Sequence, residues 1–306
     1  MGGIRRGGIG FIGLGIMGRP MALNLIKRGH RLAVFARRAE AMVPLTDAGA
    51  IACDSPAAVA READITFTML SDTPDVEAVI LGSGAKAERA VIAGAAPGSI
   101  VVDMSTISPA ATRAIAERLG AAGVSMLDAP VSGGDVGARD GTLSIMVGGP
   151  QAAFLRVKPL FEAMGRNIGH IGAAGAGQVC KACNQIVVGQ TIAGVGEALL
   201  MAQAAGVDAA KVREALLGGF AASRILELHG QRMLDGDYAP GFKLALYQKD
   251  LRLVQEAAHA LGLALPGTAL VAQLVNALVG HGDGELDAAA LHLVQRRLNA
   301  RGDERA

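Results

Sequence analysis

The sequence predicts an α/β domain with a mostly parallel sheet over residues 1–172, followed by an all-α domain over residues 173–306. Three observations carry this division. Short apolar runs recur through the first half with helical patterns between them, which implies right-handed crossovers into a parallel sheet. From Gly177 onward the apolar spacing is helical almost throughout. At 306 residues the chain is long enough to bury two cores.

Composition narrows the classes of function. With 29 basic and 28 acidic residues the formal net charge is +1, which argues against a nucleic-acid or anionic-lipid partner. Aromatic residues make up 3% and Trp is absent, leaving few platforms for stacking bases or sugars. Glycine, with 42 residues, is well above its usual share, so tight turns and close backbone approaches are expected. Three cysteines, and no apolar signal-type segment behind Arg5 and Arg6, suit a reducing cytoplasm. The apolar stretch from Ala182 to Gly196 is interrupted by Asn184, Gln185, Gln190 and Thr191, so no membrane span is expected.

In chain order, Gly8 to Ile12 is an apolar run leading into Gly13-Leu14-Gly15-Ile16-Met17-Gly18, and a helix is expected from Arg19 to Arg28. This G-x-G-x-x-G between a strand and a helix is the pattern of a Rossmann-type dinucleotide site. Gly13 permits the turn, Gly15 lets backbone approach a pyrophosphate, and Gly18 lets the helix pack closely with its N-terminus toward the phosphates. A second strand, Arg31 to Phe35, ends at Ala36-Arg37-Arg38. An NAD site usually places an acid here for the ribose 2′-hydroxyl. Ala36 cannot serve, whereas Arg37 and Arg38 could make charge-assisted hydrogen bonds to a 2′-phosphate. That favours NADP over NAD, two solvated arginines at a helix start being the alternative.

A third strand, Ile65 to Leu70, runs into a turn with an N-cap signature at Ser71-Asp72-Thr73, and a fourth, Ser99 to Met104, ends in Ser105-Thr106. Ligands of such sheets sit beyond the carboxyl ends of the strands, so the loops after Leu70 and Met104 should border a cofactor. Next come Asp128 to Gly134 and then Leu143 to Val147. Ser132 followed by Gly133 and Gly134 offers either a carboxylate cradle of exposed N–H groups or a hairpin turn, and spacing does not separate the two. Further on, Gly177, Lys181, Asn184 and Val188 fall on one helical face. A lysine followed one turn later by a carboxamide on an apolar, buried-looking helix is a plausible proton donor and positioner for a carbonyl.

Four stretches together resemble the β-hydroxyacid dehydrogenase family: GFIGLGIMG from Gly10 to Gly18, DAPVSGG from Asp128 to Gly134, GQVCKACN from Gly177 to Asn184, and KDL from Lys249 to Leu251. They span nearly the whole chain. The resemblance implies a 6-phosphogluconate dehydrogenase-like fold and reversible hydride transfer between NADP or NAD and a short 3-oxo or 3-hydroxy acid. In members of the family the residue matching Lys181 is the general acid/base, and that matching Asn184 positions substrate. Those matching Ser132, Gly133 and Gly134 hold the substrate carboxylate. The match of Lys249 lies near the nicotinamide half, and the matches of Met69, Leu70, Asp75 and Thr106 line the dinucleotide groove with Gly13, Gly15, Ile16, Met17 and Gly18. Gly218 to Ser223, Pro240 to Lys243 and Gly280 to Asp283 look most like the branch that reduces tartronate semialdehyde. Branches acting on 3-hydroxyisobutyrate or on glyoxylate and succinic semialdehyde share the same catalytic pattern. A non-catalytic dinucleotide-binding protein is the competing class, and it would bind cofactor without turnover.

In the second half, helices are expected at Gln178 to Ala205, Asp208 to Leu217, Ser223 to Leu234, Leu244 to Ala260, Pro266 to Val279 and Ala288 to Leu298, with fraying from Arg296 onward. The first is too long to be covered by one small domain, which points to a domain bridge and to a homodimer or homotetramer. Cys180-x-x-Cys183 sits inside that helix with no partner ligands near by in sequence, so packing is expected rather than redox or metal chemistry. His281 and His292 read as surface residues.

Overall fold

The structure is a computed structural model and describes residues 8–300; Arg5, Arg6 and the tail from 301 lie outside the described residues. The chain divides into two compact units, Met1–Lys181 and Ala182–Ala306.

The first unit opens with β1 (Ile9–Ile12), α1 (Gly18–Lys27), β2 (Leu32–Phe35), α2 (Val43–Thr46), β3 (Ile51–Ala52) and α3 (Pro56–Arg61). It continues with β4 (Ile65–Thr68), α4 (Thr73–Ile80), α5 (Val91–Gly94), β5 (Ile100–Asp103), α6 (Pro109–Ala121) and β6 (Ser125–Asp128). Then follow β7 (Val131–Ser132), α7 (Gly134–Asp140), β8 (Leu143–Gly148), α8 (Gln151–Met164), β9 (Gly165–Gly172) and α9 (Ala176–Ala204). Among the described residues the strands form one sheet in the order β3-β2-β1-β4-β5-β6-β8-β7, with β9 beside β8. Pairing is parallel from β3 to β6 and between β8 and β9, while β8 runs antiparallel to β6 and β7.

Every residue of β1 and β5 is buried, as expected of parallel strands covered by helices on both faces. On one face Phe67 stacks with Phe11 at 5.9 Å and meets Phe161 of α8 edge-on at 6.2 Å. On the other, Val101 and Val59 pack with Ile80, Ile115 and Leu119 from α4 and α6. Three strands were not expected from sequence. β3 is a two-residue pairing, β7 is equally short, and β9 (Gly-Arg-Asn-Ile-Gly-His-Ile-Gly) lacks an apolar run and owes its conformation to its register with β8.

The second unit contains the remainder of α9 with α10 (Ala209–Leu217), α11 (Arg224–Asp235), α12 (Leu244–Ala260), α13 (Pro266–Gly280) and α14 (Leu291–Asn299). Asp208 and Ser223 cap α10 and α11 through side-chain oxygens, as their positions predict. Ile192, Leu199, Tyr247, Val275 and Leu291 form a fully buried core. Asp287, 1% exposed, accepts the N–H groups of Gly241 and Phe242 at 3.0 and 2.8 Å and pairs with Arg232 at 3.2 Å, which pins the Pro240 to Lys243 stretch.

Two expectations need correction. His292 is 2% exposed, not a surface residue, and burial, with Arg296 adding to it, pushes its imidazole pKa down. The chain does not fray at Arg296: α14 continues to Asn299, and Arg297 pairs with Asp283 at 2.7 Å. α9 is long and apolar enough by length and composition to cross a membrane, but 44% of its apolar stretch is buried inside the protein. Ile192, Val195, Leu199 and Ala202 supply the core-facing part.

Candidate functional site

The glycine turn between β1 and α1 has the geometry that a pyrophosphate cradle requires. Gly13 has φ +95°, and a Cβ there would meet the Leu70 side chain at 3.0 Å. A Cβ on Gly18 would collide with the Gly13 carbonyl and come within 3.1 Å of Phe11. Gly15, by contrast, has nothing within 4 Å, so its bare backbone faces open space. Ile16 is exposed and Met17 half-buried, and α1 starts with no side-chain cap and no acidic residue in its first turn. With no side chain over it, the positive end of the helix dipole therefore faces an approachable volume. These residues fit a dinucleotide. Arg37 and Arg38 are exposed directly past the carboxyl end of β2.

Met69 and Leu70 leave the sheet at the end of β4 and lie against the Gly13 turn. Thr106 follows β5 by three residues and is half-buried. Asp75 stands in the first turn of α4, where a carboxylate is favoured by the helix dipole alone; Asp72, not Asp75, caps that helix.

A buried polar chain that sequence reasoning missed joins these loops. The Leu70 N–H donates to Ser105 Oγ at 2.8 Å, and the Ser105 hydroxyl donates to Asp103 Oδ1 at 2.6 Å. Thr68 Oγ1 donates to the same oxygen at 2.8 Å. Asp103 is fully buried and its Oδ2 has no hydrogen-bond partner. Burial pushes its carboxyl from 3.8 up to about 6, against the lowering effect of the Ser105 and Thr68 bonds and with a smaller push from Asp128. Between those values the folded chain holds a proton that the unfolded chain has released. Stability should therefore be highest below the unfolded value and fall as pH rises toward 6. At ~1.36 kcal/mol per pK unit the loss is on the order of 3 kcal/mol. Asp103→Asn removes this titration, so its stability relative to the parent should climb by about 2 kcal/mol between pH 4.5 and pH 7. Urea denaturation at both pH values measures it; a constant difference would refute the assignment.

Asp128, at the end of β6 and 1% exposed, grips the start of α9. Its Oδ1 accepts the Gly175 N–H at 2.8 Å and its Oδ2 accepts the Gln178 N–H at 3.0 Å. Burial raises the Asp128 pKa and these backbone donors oppose that rise. Gly177 lies so close to β6 that a Cβ would fall 2.6 Å from the Asp128 carbonyl oxygen. One turn later stands Lys181, 6% exposed on the covered face of α9. The apolar flanks are not buried as a block: Val179 and Val187 are 46% and 65% exposed. Cys180 and Cys183 on this helix are not joined in a disulfide. Ser132 ends β7, which pairs antiparallel with β8. The connection is not a tight hairpin turn but the short helix α7, started by Gly133 (φ 130°) and Gly134 (φ 61°).

In the second unit, Asn184 and Lys249 are joined through side chains. Asn184 Nδ2 donates to Gln185 Oε1 at 2.8 Å, Gln185 Nε2 donates to Asp250 Oδ2 at 2.6 Å, and Lys249 Nζ pairs with Asp250 Oδ1 at 2.8 Å. The Tyr247 hydroxyl, its pKa raised by burial and by Asp250, donates to the Gln185 carbonyl at 2.8 Å. Gln185 and Tyr247 were not singled out from sequence, and Asp250 stood in the KDL stretch with no role read for it. The signal for Gln185 and Tyr247 was position: polar residues on the core faces of α9 and α12.

Comparison with known proteins agrees with this layout. Residues 8–172 match the NAD binding domain of 6-phosphogluconate dehydrogenase, and residues 175–294 match the NAD-binding region of NADP-dependent 3-hydroxyisobutyrate dehydrogenase. The chain is 50% identical over 285 residues to 2-hydroxy-3-oxopropionate reductase of Escherichia coli K12, covering 92% of this chain and 95% of that one. It is 38% identical over 295 residues to 3-hydroxyisobutyrate dehydrogenase of Pseudomonas aeruginosa, covering 94% and 97% of the two chains. The solved structure of Mycobacterium tuberculosis 3-hydroxyisobutyrate dehydrogenase with L-serine superposes with a TM-score of 0.85 at 32% identity, over 95% of this chain and all of that one. With an NAD(P)-binding sheet domain, a helical second domain and end-to-end relatives of one kind, the chain belongs to the β-hydroxyacid dehydrogenase family, NAD(P)-dependent oxidoreductases that act on CH–OH groups.

Proposed function

We propose that the chain reduces 2-hydroxy-3-oxopropionate (tartronate semialdehyde) to glycerate, with NADP favoured over NAD. The observation that carries the substrate is the 50% identity, across almost the full length of both chains, to a reductase of that name. A second reading, oxidation of 3-hydroxyisobutyrate, is supported by the P. aeruginosa relative and uses the same residues; a glyoxylate or succinic semialdehyde reductase would also share them. We take 1–172 as the cofactor domain and 173–306 as the substrate and oligomerisation domain.

In this reading Gly13, Gly15, Ile16, Met17 and Gly18 hold the pyrophosphate, while Met69, Leu70, Asp75 and Thr106 line the groove. Lys249 stands toward the nicotinamide half, and Arg37 and Arg38 meet the 2′-phosphate. Ser132 with the Gly133 and Gly134 N–H groups fixes the substrate carboxylate, and Asn184 orients the aldehyde. A bound NAD(P)H supplies the hydride. Lys181 protonates the carbonyl oxygen as that carbon is reduced, and in the reverse direction it takes the proton back from the hydroxyl. The chain takes a small carboxylate as its partner, neither nucleic acid nor membrane, and works in the cytoplasm as a homodimer or homotetramer. The exposed Val179, Val187 and Met201 on α9 support association.

The test is a set of specificity constants for tartronate semialdehyde and methylmalonate semialdehyde, each with NADPH and NADH. The expected result is a preference for tartronate semialdehyde with NADPH. Replacing Arg37 and Arg38 by alanine should raise the KM for NADPH about tenfold and leave that for NADH nearly unchanged, since a charge-assisted phosphate contact is lost. A preference for the branched semialdehyde would move the chain to the second reading. Equal losses with both cofactors would remove the two arginines from the phosphate site.

A further inference from the structure

Gln178 sits in the first turn of α9 and is 2% exposed. Its backbone N–H is held by Asp128 at 3.0 Å. Its side-chain amide uses both ends on one backbone segment: Nε2 donates to the Ser105 carbonyl at 2.8 Å, and Oε1 accepts the Ile107 N–H at 3.1 Å. Thr106 lies between those two residues. The same Ser105 bonds Leu70 and Asp103 through its hydroxyl, so the loops after β4 and β5 converge on the segment that this amide clamps. Lys181 follows Gln178 by three residues on the same helix, so its base is set by the same turn.

We propose that Gln178 is a positioning residue that locks the Ser105–Ile107 segment to the first turn of α9, so that one side chain sets both the loop lining the dinucleotide groove and the helix carrying Lys181. The inference rests on the reading above for the role of Lys181, and on NAD(P) binding alone for the role of the loop. An amide is the required chemistry because one end must donate and the other accept. Asn is a methylene too short to span both partners from the same helix position, and Met satisfies neither. Losing the clamp leaves a buried carbonyl and a buried N–H unpaired, a cost that falls on the loop conformation.

Glutamate at this position gives a sharper discrimination. In Gln178→Glu the ionised carboxylate can still accept from Ile107 but turns a second oxygen toward the Ser105 carbonyl. Protonated, it can donate to that carbonyl and accept from Ile107, reproducing the amide. Burial favours the neutral form. Asp128 holds the Gln178 N–H, Asp103 holds the Ser105 hydroxyl and Arg113 lies beside Gly175; all are present in the parent, so each pH is read as a ratio to the parent.

The experiment measures NADPH dissociation constants by fluorescence, turnover, and thermal unfolding for the parent, Gln178→Met and Gln178→Glu from pH 5.5 to 8.5. The proposal expects Gln178→Met to bind NADPH about tenfold or more weakly and to lose kcat as well. It expects Gln178→Glu to resemble it at high pH and to recover toward the parent as pH falls. Parent-like cofactor binding in both variants overturns the proposal. So does a fall in melting temperature with unchanged binding and no acid recovery, which would make Gln178 a structural brace alone. Should Gln178→Met fail to fold, the pH ratio of Gln178→Glu decides by itself. Failure of the parent to reduce any semialdehyde would count against the reading of the function, and the dissociation constants would still judge the clamp.

Discussion

Lys181→Ala should lower turnover by about 100-fold or more while leaving NADPH binding intact. A positioned proton donor contributes about that factor to carbonyl reduction, and a donor acting only as the hydride arrives should reduce kcat and kcat/KM together. The structure gives the lysine a restricted setting: it is 6% exposed, on the covered face of α9, and one turn after a helix start pinned by Asp128. A buried lysine is uncommon without a role. Alanine is the strongest helix former, so α9 should persist through the substitution, and matching circular dichroism and cofactor affinity would establish that. Steady-state kinetics with tartronate semialdehyde and NADPH then isolate the chemistry. Turnover within a few fold of the parent would remove Lys181 from the proton-transfer step. It would leave the family assignment standing, because that rests on the whole chain.

What could be read from sequence was what local backbone geometry dictates. Gly13 and Gly18 are required by a turn and a close helix approach spanning six residues, so spacing alone exposes them. The limits of α12 follow from its own periodicity, and the caps at Asp208 and Ser223 from single side chains beside their helices. The residues that hold the site in place were not legible because their partners are remote. Gln178 reaches back to Ser105, Asp128 to Gly175 and Asp250 to Gln185, each across dozens of residues. All three stand inside the motif stretches quoted from sequence, but nothing in those stretches says which remote group each one reaches. His292 was misread for the same reason: its burial comes from helices distant in sequence, not from its own flanks. β9 is the backbone counterpart, a glycine-rich stretch made a strand by β8.

Asp128→Ala should cost about 3 kcal/mol or more of stability and reduce activity beyond what that loss explains. The carboxylate is the acceptor for the first turn of α9, where backbone N–H groups have no partner within the helix. It takes the Gly175 N–H at 2.8 Å and the Gln178 N–H at 3.0 Å. Stripping an acceptor from several buried donors costs about 1–3 kcal/mol for each left unpaired, partly offset where water enters. Room for water is small, since even a Cβ on Gly148 would fall 2.6 Å from Asp128 Oδ1. Against a net stability of about 5–15 kcal/mol, such a loss should be plain in a urea midpoint. Asp128→Asn is the informative companion. Its oxygen can satisfy one donor, but its NH₂ must point at another N–H, so it should recover little of what alanine loses. An asparagine variant close to the parent in stability would mean that shape, not the acceptor pair, holds this helix start. Reduced kcat at temperatures where both variants remain folded would tie the grip of Asp128 to the placement of Lys181 three residues beyond Gln178.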